Sequence, residues 1–288
     1  GDFARTRDLS PLAAAIRRMC AAANGAPVLG VCIGFPANLD PDAAAIVSYA
    51  AMDIQQPTSF AQVFPAFWRE VELPVYLEND ANLACEGEAF LRRGAGGAAN
   101  MLYLSIGSGC GGAVRLDGKL RRGARCRAGE VGAMLLQPAL GAPGRSAARE
   151  TLEDAVCLAA LERRFGAALR DGAQPGEASA QAMRDYLCGP LSGAVYSLVM
   201  TLDVELCVLA GIVPGALGMQ LCTQVSEALR AALPESTPVR VEPSVSADEC
   251  KLAAASKAKN GKPGAPSRAI MGAPKTRRMR RGRRAAAG

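Results

Sequence analysis

The chain has 288 residues, half of them hydrophobic, which is enough for one or two globular domains with a sizeable core. It contains no histidine, so His-dependent triads, His-ligated zinc and imidazole bases are excluded, and acid–base chemistry falls to carboxylates, Lys, Tyr or Cys. The formal charge of +6 is unevenly placed: residues 251–288 hold twelve Lys or Arg and no acid, leaving 21 basic against 27 acidic groups, a net −6, before them.

In chain order, Ser10-Pro11 followed by "LAAAIRRMCAAANG" reads as a helix with Ser10 as its cap, Pro at the first position and Gly25 past the end. "PVLGVCIGF" (27–35) is a buried strand, and 36–57 reads as loop. Residues 60–71 form a helix interrupted by Pro65, 74–78 a strand, and 81–94 a helix ending at Gly94. "LYLSI" is a strand, "GSGCGG" a Gly-rich turn, and "AVRL-DG-KLRR" a hairpin with an Asp-Gly turn. Mixed strand and loop fill 129–144, and 150–165 is helical. A helix over 180–202 is partly broken at "CGP"; a strand (205–213), a helix (221–233), a strand (238–243) and a last helix capped by Ser246 follow. This alternation of strand and helix places the chain in the α/β class.

The longest charge-free run, Leu206 to Ser226, is interrupted by Gly211, Pro214, Gly215 and Gly218, so it reads as strand, loop and helix start and not as a membrane span. The first residues lack the apolar core of a signal peptide. Ten cysteines without a C-x-x-C pair read as reduced core thiols of a cytoplasmic protein, and no metal-ligand spacing is visible. The tail at 256–288 has no apolar periodicity and reads as disordered. Its charge suits non-specific binding to nucleic acid, and an out-of-frame or degenerate gene end accounts for the same bias.

Two places carry chemistry. "VYLENDANLACEGE" runs a strand into a helix through Glu78, Asn79 and Asp80, at the sheet edge where α/β proteins bind ligands. Asn79 or Asp80 caps the helix starting at Ala81, and the helix N-terminus holds Asp80 ionised. Such a carboxylate suits proton abstraction from a ligand hydroxyl. An ordinary N-cap serving only the helix is the commoner use of this spacing. Gly107, Gly109 and Gly112 formally satisfy G-x-G-x-x-G, but a hairpin follows where a dinucleotide motif needs a helix. The turn's backbone N–H groups suit a phosphate; a tight hairpin needing positive φ gives the same pattern.

Taken in order, these segments resemble the ROK family of repressors, open reading frames and sugar kinases. "VYLENDANLACEGE", "LYLSIGSGCGGAVRLDGKLRRGA", "AGEVGAM", "GFPA" and "LDVELCVLAGIV" are similar to its motifs over about 27–252. The resemblance implies an actin-like, hexokinase-like (ribonuclease H-like) α/β fold of two lobes. Residues 1–94 would be an incomplete N-terminal sugar-binding lobe and 95–255 a C-terminal lobe carrying the phosphate hairpin. It implies an ATP-dependent kinase acting on a hexose or N-acetylhexosamine hydroxyl, with Asp80 as the base. Asn79, Glu130 and Glu153 would contact sugar, Pro36 would shape the sugar loop, Gly107, Ser108 and Gly109 would face the phosphates of Mg-ATP, and Gly211 the nucleoside. Self-association as a homodimer is the assembly it implies. The family's "D-x-G-G-T" loop has no counterpart, its zinc-ligating His is Ala133, and its Cys-rich loop is "LGAPGRSAARETLED", so zinc is not expected. A sugar-sensing transcriptional regulator lacking its DNA-binding segment, or a non-functional gene fragment, are the alternative readings.

Overall fold

The computed structural model describes residues 3–93, 97–136, 150–166, 169 and 175–245. The expected helix capped by Ser246, the basic tail, the lobe boundary at 94/95 and most of the Cys-free loop lie outside the described residues.

In the first half, β1 (Val31–Phe35) pairs in parallel with β5 (Val75–Asn79), with Phe35 opposite Asn79. Parallel pairing brings the carboxyl ends of both strands to one edge, so Pro36 and Asp80 leave the sheet side by side. The stretch expected to be loop contains β2 (Asn38–Asp40) and β3 (Ala45–Ser48), which form an antiparallel sheet with β4 (Thr58–Ser59). The turn between β2 and β3 is closed by Asp40, whose Oδ1 accepts from the Asp42 and Ala43 amides, both at 3.0 Å. Strands this short show too little alternation to be read locally, but Leu39 and Ile46 are fully inside.

Short α1 (Phe3–Thr6) precedes α2 (Ser10–Ala21). Ser10 is the first residue of α2 and not its cap: its amide donates to Asp8 Oδ1 at 2.8 Å and its hydroxyl to Oδ2 at 3.0 Å. Helices α3 (Phe60–Val63) and α4 (Pro65–Glu70) are separated at Pro65, as expected. Phe60 packs edge-to-face on Phe35 and Phe67 and tilted on Phe64, with ring centroids 4.8–6.1 Å apart. Packing of that kind fixes the end of β1 and therefore the start of the Pro36 loop.

In the second half, β6 (Met101–Ile106), β7 (Cys110–Leu116), β8 (Lys119–Arg121), β9 (Leu206–Ala210) and β10 (Arg240–Pro243) form one sheet in the order β10-β9-β6-β7-β8. Only β7 runs against the others. That order and direction are the ribonuclease H-like arrangement. The hairpin turns at Asp117 and Gly118, both at positive φ, as the Asp-Gly signal requires. Ser105 pairs with Ala210, so the Gly107–Gly109 turn and Gly211 emerge at the same edge.

Helix α8 (Glu177–Leu202) continues through Pro190, where a break was expected. A helix-interior proline costs about 3 kcal/mol. Leu187, Leu191 and Val195 are fully buried on one face of α8, and burying each contributes roughly 1.5–3 kcal/mol. Their sum outweighs the proline. Helix α9 (Ile212–Ala232) begins directly after β9, nine residues earlier than expected, and contains a non-helical residue at Gly218. The segment after the described gap forms α6 (Leu152–Val156) and α7 (Leu158–Phe165). They part at Cys157, where the Leu158 amide donates to the Gly107 carbonyl at 2.8 Å.

Helix α5 (Asp80–Leu91) joins the halves. Its Glu88, fully buried, accepts from Arg92 Nε at 2.7 Å, Ser244 Oγ at 3.0 Å and the Val245 amide at 3.1 Å. Arg92 also pairs with the Glu242 carboxylate and donates to the Pro243 carbonyl.

Candidate functional site

Between the halves lies an open cleft of about 1630 Å³. Pockets for one small ligand run roughly 300–1,000 Å³, so this volume suits two ligand moieties placed end to end. Pro36, Asn79, Asp80, Gly107, Ser108, Gly109, Glu130, Glu153 and Gly211 all line it. Every site residue expected from sequence is therefore brought to one crevice.

The strand-to-helix turn divides its three polar residues by task. Glu78 is buried beneath the turn, paired with Arg122 and accepting from Asn82 Nδ2 at 3.2 Å. Asn79 is the helix cap: its Oδ1 accepts from the Asn82 amide at 3.0 Å, while Nδ2 donates to the Ala37 carbonyl at 3.2 Å and ties down the Pro36 loop. Asp80 is the first helical residue and opens onto the cleft, with Oδ1 accepting from the Ala81 amide at 2.9 Å. Its pKa is raised, because enclosure by the cleft walls outweighs the backbone amides of Ala81 and Asp80 that lower it. The helix terminus alone suggests the opposite direction. A raised pKa makes Asp80 a better proton acceptor.

Glu130 follows Gly129, whose φ of +97° and lack of a side chain let the turn lie against β7. A Cβ at Gly129 would stand 2.5 Å from the Gly112 carbonyl oxygen. The Glu130 pKa is raised by partial burial; Arg127 opposes this, and Glu153 and Asp80 add to it. Glu130 thus senses the charges of both other carboxylates across the cleft. Glu153 lies against Gly109 and its Oε2 accepts from the Cys110 amide at 2.7 Å, so it also anchors the Gly-rich turn. Gly211, at φ +93°, packs where a Cβ would meet the Ile106 carbonyl oxygen at 2.5 Å. Among the described residues no three His, Cys, Asp or Glu side chains gather as a metal site.

Among the cleft residues missed by sequence are Asn38, Ser48, Tyr49 and Arg127. Tyr49 packs edge-on to Phe35, with centroids 5.6 Å apart, and burial, then the Asp80 charge, raises its hydroxyl pKa. The pairing of Asn38 with Ser48 was invisible while β2 and β3 read as loop.

The cleft and sheet order define a two-lobed α/β protein with a hydroxyl-and-carboxylate wall facing a Gly-rich turn. The chain matches the ROK family over residues 5–259 and belongs to it. It is 34% identical to a glucokinase of Halalkalibacterium halodurans over 141 residues, 46% of this chain and 40% of that protein. It is 33% identical to the xylose repressor of Caldicellulosiruptor bescii over 105 residues, 36% of this chain and 25% of that protein. These matches span less than half the length of either relative. The fold is shared with a ROK family glucokinase from Streptomyces griseus, solved with glucose and AMPPNP: the TM-score is 0.66 at 22% identity, covering 88% of this chain and 89% of that one. No described helix is long and apolar enough to cross a membrane.

Proposed function

We propose that the cleft binds a hexose or N-acetylhexosamine and transfers phosphate to one of its hydroxyls from Mg-ATP. The observation that carries this reading is the meeting of Asp80, Glu130 and Glu153 in one open crevice that is also lined by the Gly107–Gly109 turn, which Glu153 anchors. Asn79 and Glu130 accept hydrogen bonds from sugar hydroxyls, with the Pro36 loop as the floor of the sugar end. Asp80 takes the proton of the attacking hydroxyl, and its raised pKa suits that task. Gly107, Ser108, Gly109 and Gly211 are the residues that would hold ATP, since all four line the cleft and the space beside Gly107 is open. Magnesium is bound largely by phosphates and one or two carboxylates, so an all-protein cage is not required. Bound Mg-ATP supplies the transferred group and neutralises its charge. The protein's own contribution is alignment and proton acceptance.

Calorimetry with glucose, mannose, N-acetylglucosamine and N-acetylmannosamine tests the sugar site. The wild type binds at least one of them, and Asp80→Ala and Glu130→Ala bind it more weakly. Equal binding by all three proteins removes the assignment. A coupled ADP-release assay tests transfer. The similarity to a xylose repressor supports a second reading, sugar binding without chemistry. Binding without ADP release selects it.

A further inference from the structure

Glu130 does not stand alone on its wall. With the Asn38 amide oriented so that both ends find partners, Nδ2 lies 2.7 Å from Glu130 Oε1 and 3.3 Å from the Cys126 carbonyl oxygen, and Oδ1 accepts from Ser48 Oγ at 3.0 Å. Ser48 Oγ in turn accepts from Arg127 Nη2 at 3.2 Å. The donors run one way, from the Arg127 guanidinium through Ser48 and Asn38 to the Glu130 carboxylate. In such a chain each bond polarises the next. The chain also crosses between the halves: Asn38 and Ser48 are cross-strand partners on β2 and β3, whereas Arg127 and Glu130 follow β8.

We propose that Asn38 is the positioning residue for Glu130: its amide fixes the carboxylate in the orientation that meets a ligand hydroxyl, and Ser48 with Arg127 fixes the amide. The inference rests on reading Glu130 as a sugar-hydroxyl acceptor. The bland account is that Asn38 merely completes the β2–β3 pair. Two observations favour the positioning role. The strand register shifts between Asn38 and Leu39, an irregularity of the kind that re-aims a side chain beside a site. The shortest contact of the amide is also the one to Glu130 in the other half, not the one to its strand partner. A glutamate has several rotatable bonds, and freezing them when ligand arrives costs affinity. A bond already made by Asn38 removes that cost beforehand.

The test is a mutant cycle read by calorimetry, using whichever of the four sugars the wild type binds most tightly. Asn38→Ala weakens binding about tenfold, as loss of a bond to a charged group does. Glu130→Gln weakens it at least as much. The double variant binds within about twofold of Glu130→Gln alone, because the two residues act as one unit. Ser48→Ala gives a smaller loss in the same direction. Affinity against pH supplies a readout that a purely structural role leaves unmoved. The groups facing Glu130 are Arg127, Glu153 and Asp80, all retained in these variants. Removing the Asn38 donor destabilises ionised Glu130, so the acid limb moves to higher pH in Asn38→Ala. It moves further in Asn38→Asp, which keeps the size and sets a second carboxylate against the first. Additive losses in the double variant, or an acid limb unmoved in both Asn38 variants, overturn the proposal. A wild type that binds none of the sugars overturns the reading of the whole site.

Discussion

Removing the Arg122 side chain takes the guanidinium away from a carboxylate with almost no access to water. Glu78 is 1% exposed, and Arg122 meets it through Nη2 and, at 3.4 Å, Nε. Breaking a buried ion pair from one side costs about 3–5 kcal/mol, because the remaining charge keeps its desolvation penalty. About a third of the Arg122 side chain, 35%, remains in water, which already screens the pair and selects the lower figure. At roughly 2–4 °C per kcal/mol for a chain of this size, Arg122→Ala lowers the melting temperature by about 6–12 °C at neutral pH. The sign of the pH dependence follows from linkage. Without Arg122 a buried carboxylate is left unpaired, and protonation relieves its desolvation penalty, so the deficit shrinks as pH falls. Glu78→Gln combined with Arg122→Met removes both charges while the new side-chain amide still faces Asn82, and the pair recovers most of the loss. Thermal melts of wild type, Arg122→Ala and the double variant at neutral and mildly acidic pH decide the matter. An Arg122→Ala melt within about 2 °C of wild type, smaller than the shift for 1 kcal/mol, or a deficit independent of pH, refutes the argument.

Other outcomes follow from the same geometry. Asp80→Asn lowers the turnover rate about 10²–10⁴-fold in the ADP-release assay while leaving sugar affinity within a few-fold, as expected for loss of a general base; weakened affinity with turnover unchanged would assign Asp80 to binding alone. Because enclosure raises the Asp80 pKa, the acid limb of the wild-type rate profile lies above the ordinary 3.8, with activity falling as pH drops through it; a limb at or below 3.8 contradicts this. Gly129→Ala introduces a Cβ 2.5 Å from a carbonyl oxygen at positive φ; a stability loss of at least about 1–3 kcal/mol is expected in urea unfolding, together with weakened sugar binding. Burial pushes the thiols of Cys110 to about 12 and Cys222 to about 11. A thiol reagent at neutral pH therefore labels part-exposed Cys20 long before either, and peptide mapping after timed labelling checks the order.

The parts of the fold written in local pattern were legible. The strand at 74–78 feeding a helix is a run of apolar residues meeting a cap, and a cap acts within three residues of its own position. The Asp117-Gly118 turn is equally local. Strands β2 and β3 were not legible, because strands of three and four residues carry no measurable period and are defined by each other. Helix α8 was misread at Pro190 because the burial of Leu187 and Leu191 that overrides the proline is a property of the folded core. The capping role of Ser10 went the other way for a local reason: Asp8, two residues upstream, supplies both oxygens. In the site, Asp80, Asn79 and Glu130 sit in recognisable strings, whereas Asn38 and Arg127 gain meaning only when residues some ninety positions apart meet.

The clamp of Glu88 and Arg92 on the end of β10 sets the mechanics of the cleft. Helix α5 starts in the first half of the chain, yet its far end is bolted to the sheet of the second. If the two halves breathe, the first residue of that helix stays in step with the glycine turn opposite, like a post mounted on the same plate. Asn79 carries the same linkage on to the Pro36 loop, whose Ala37 carbonyl it holds, so that loop, the start of the helix and the glycine turn keep a common frame.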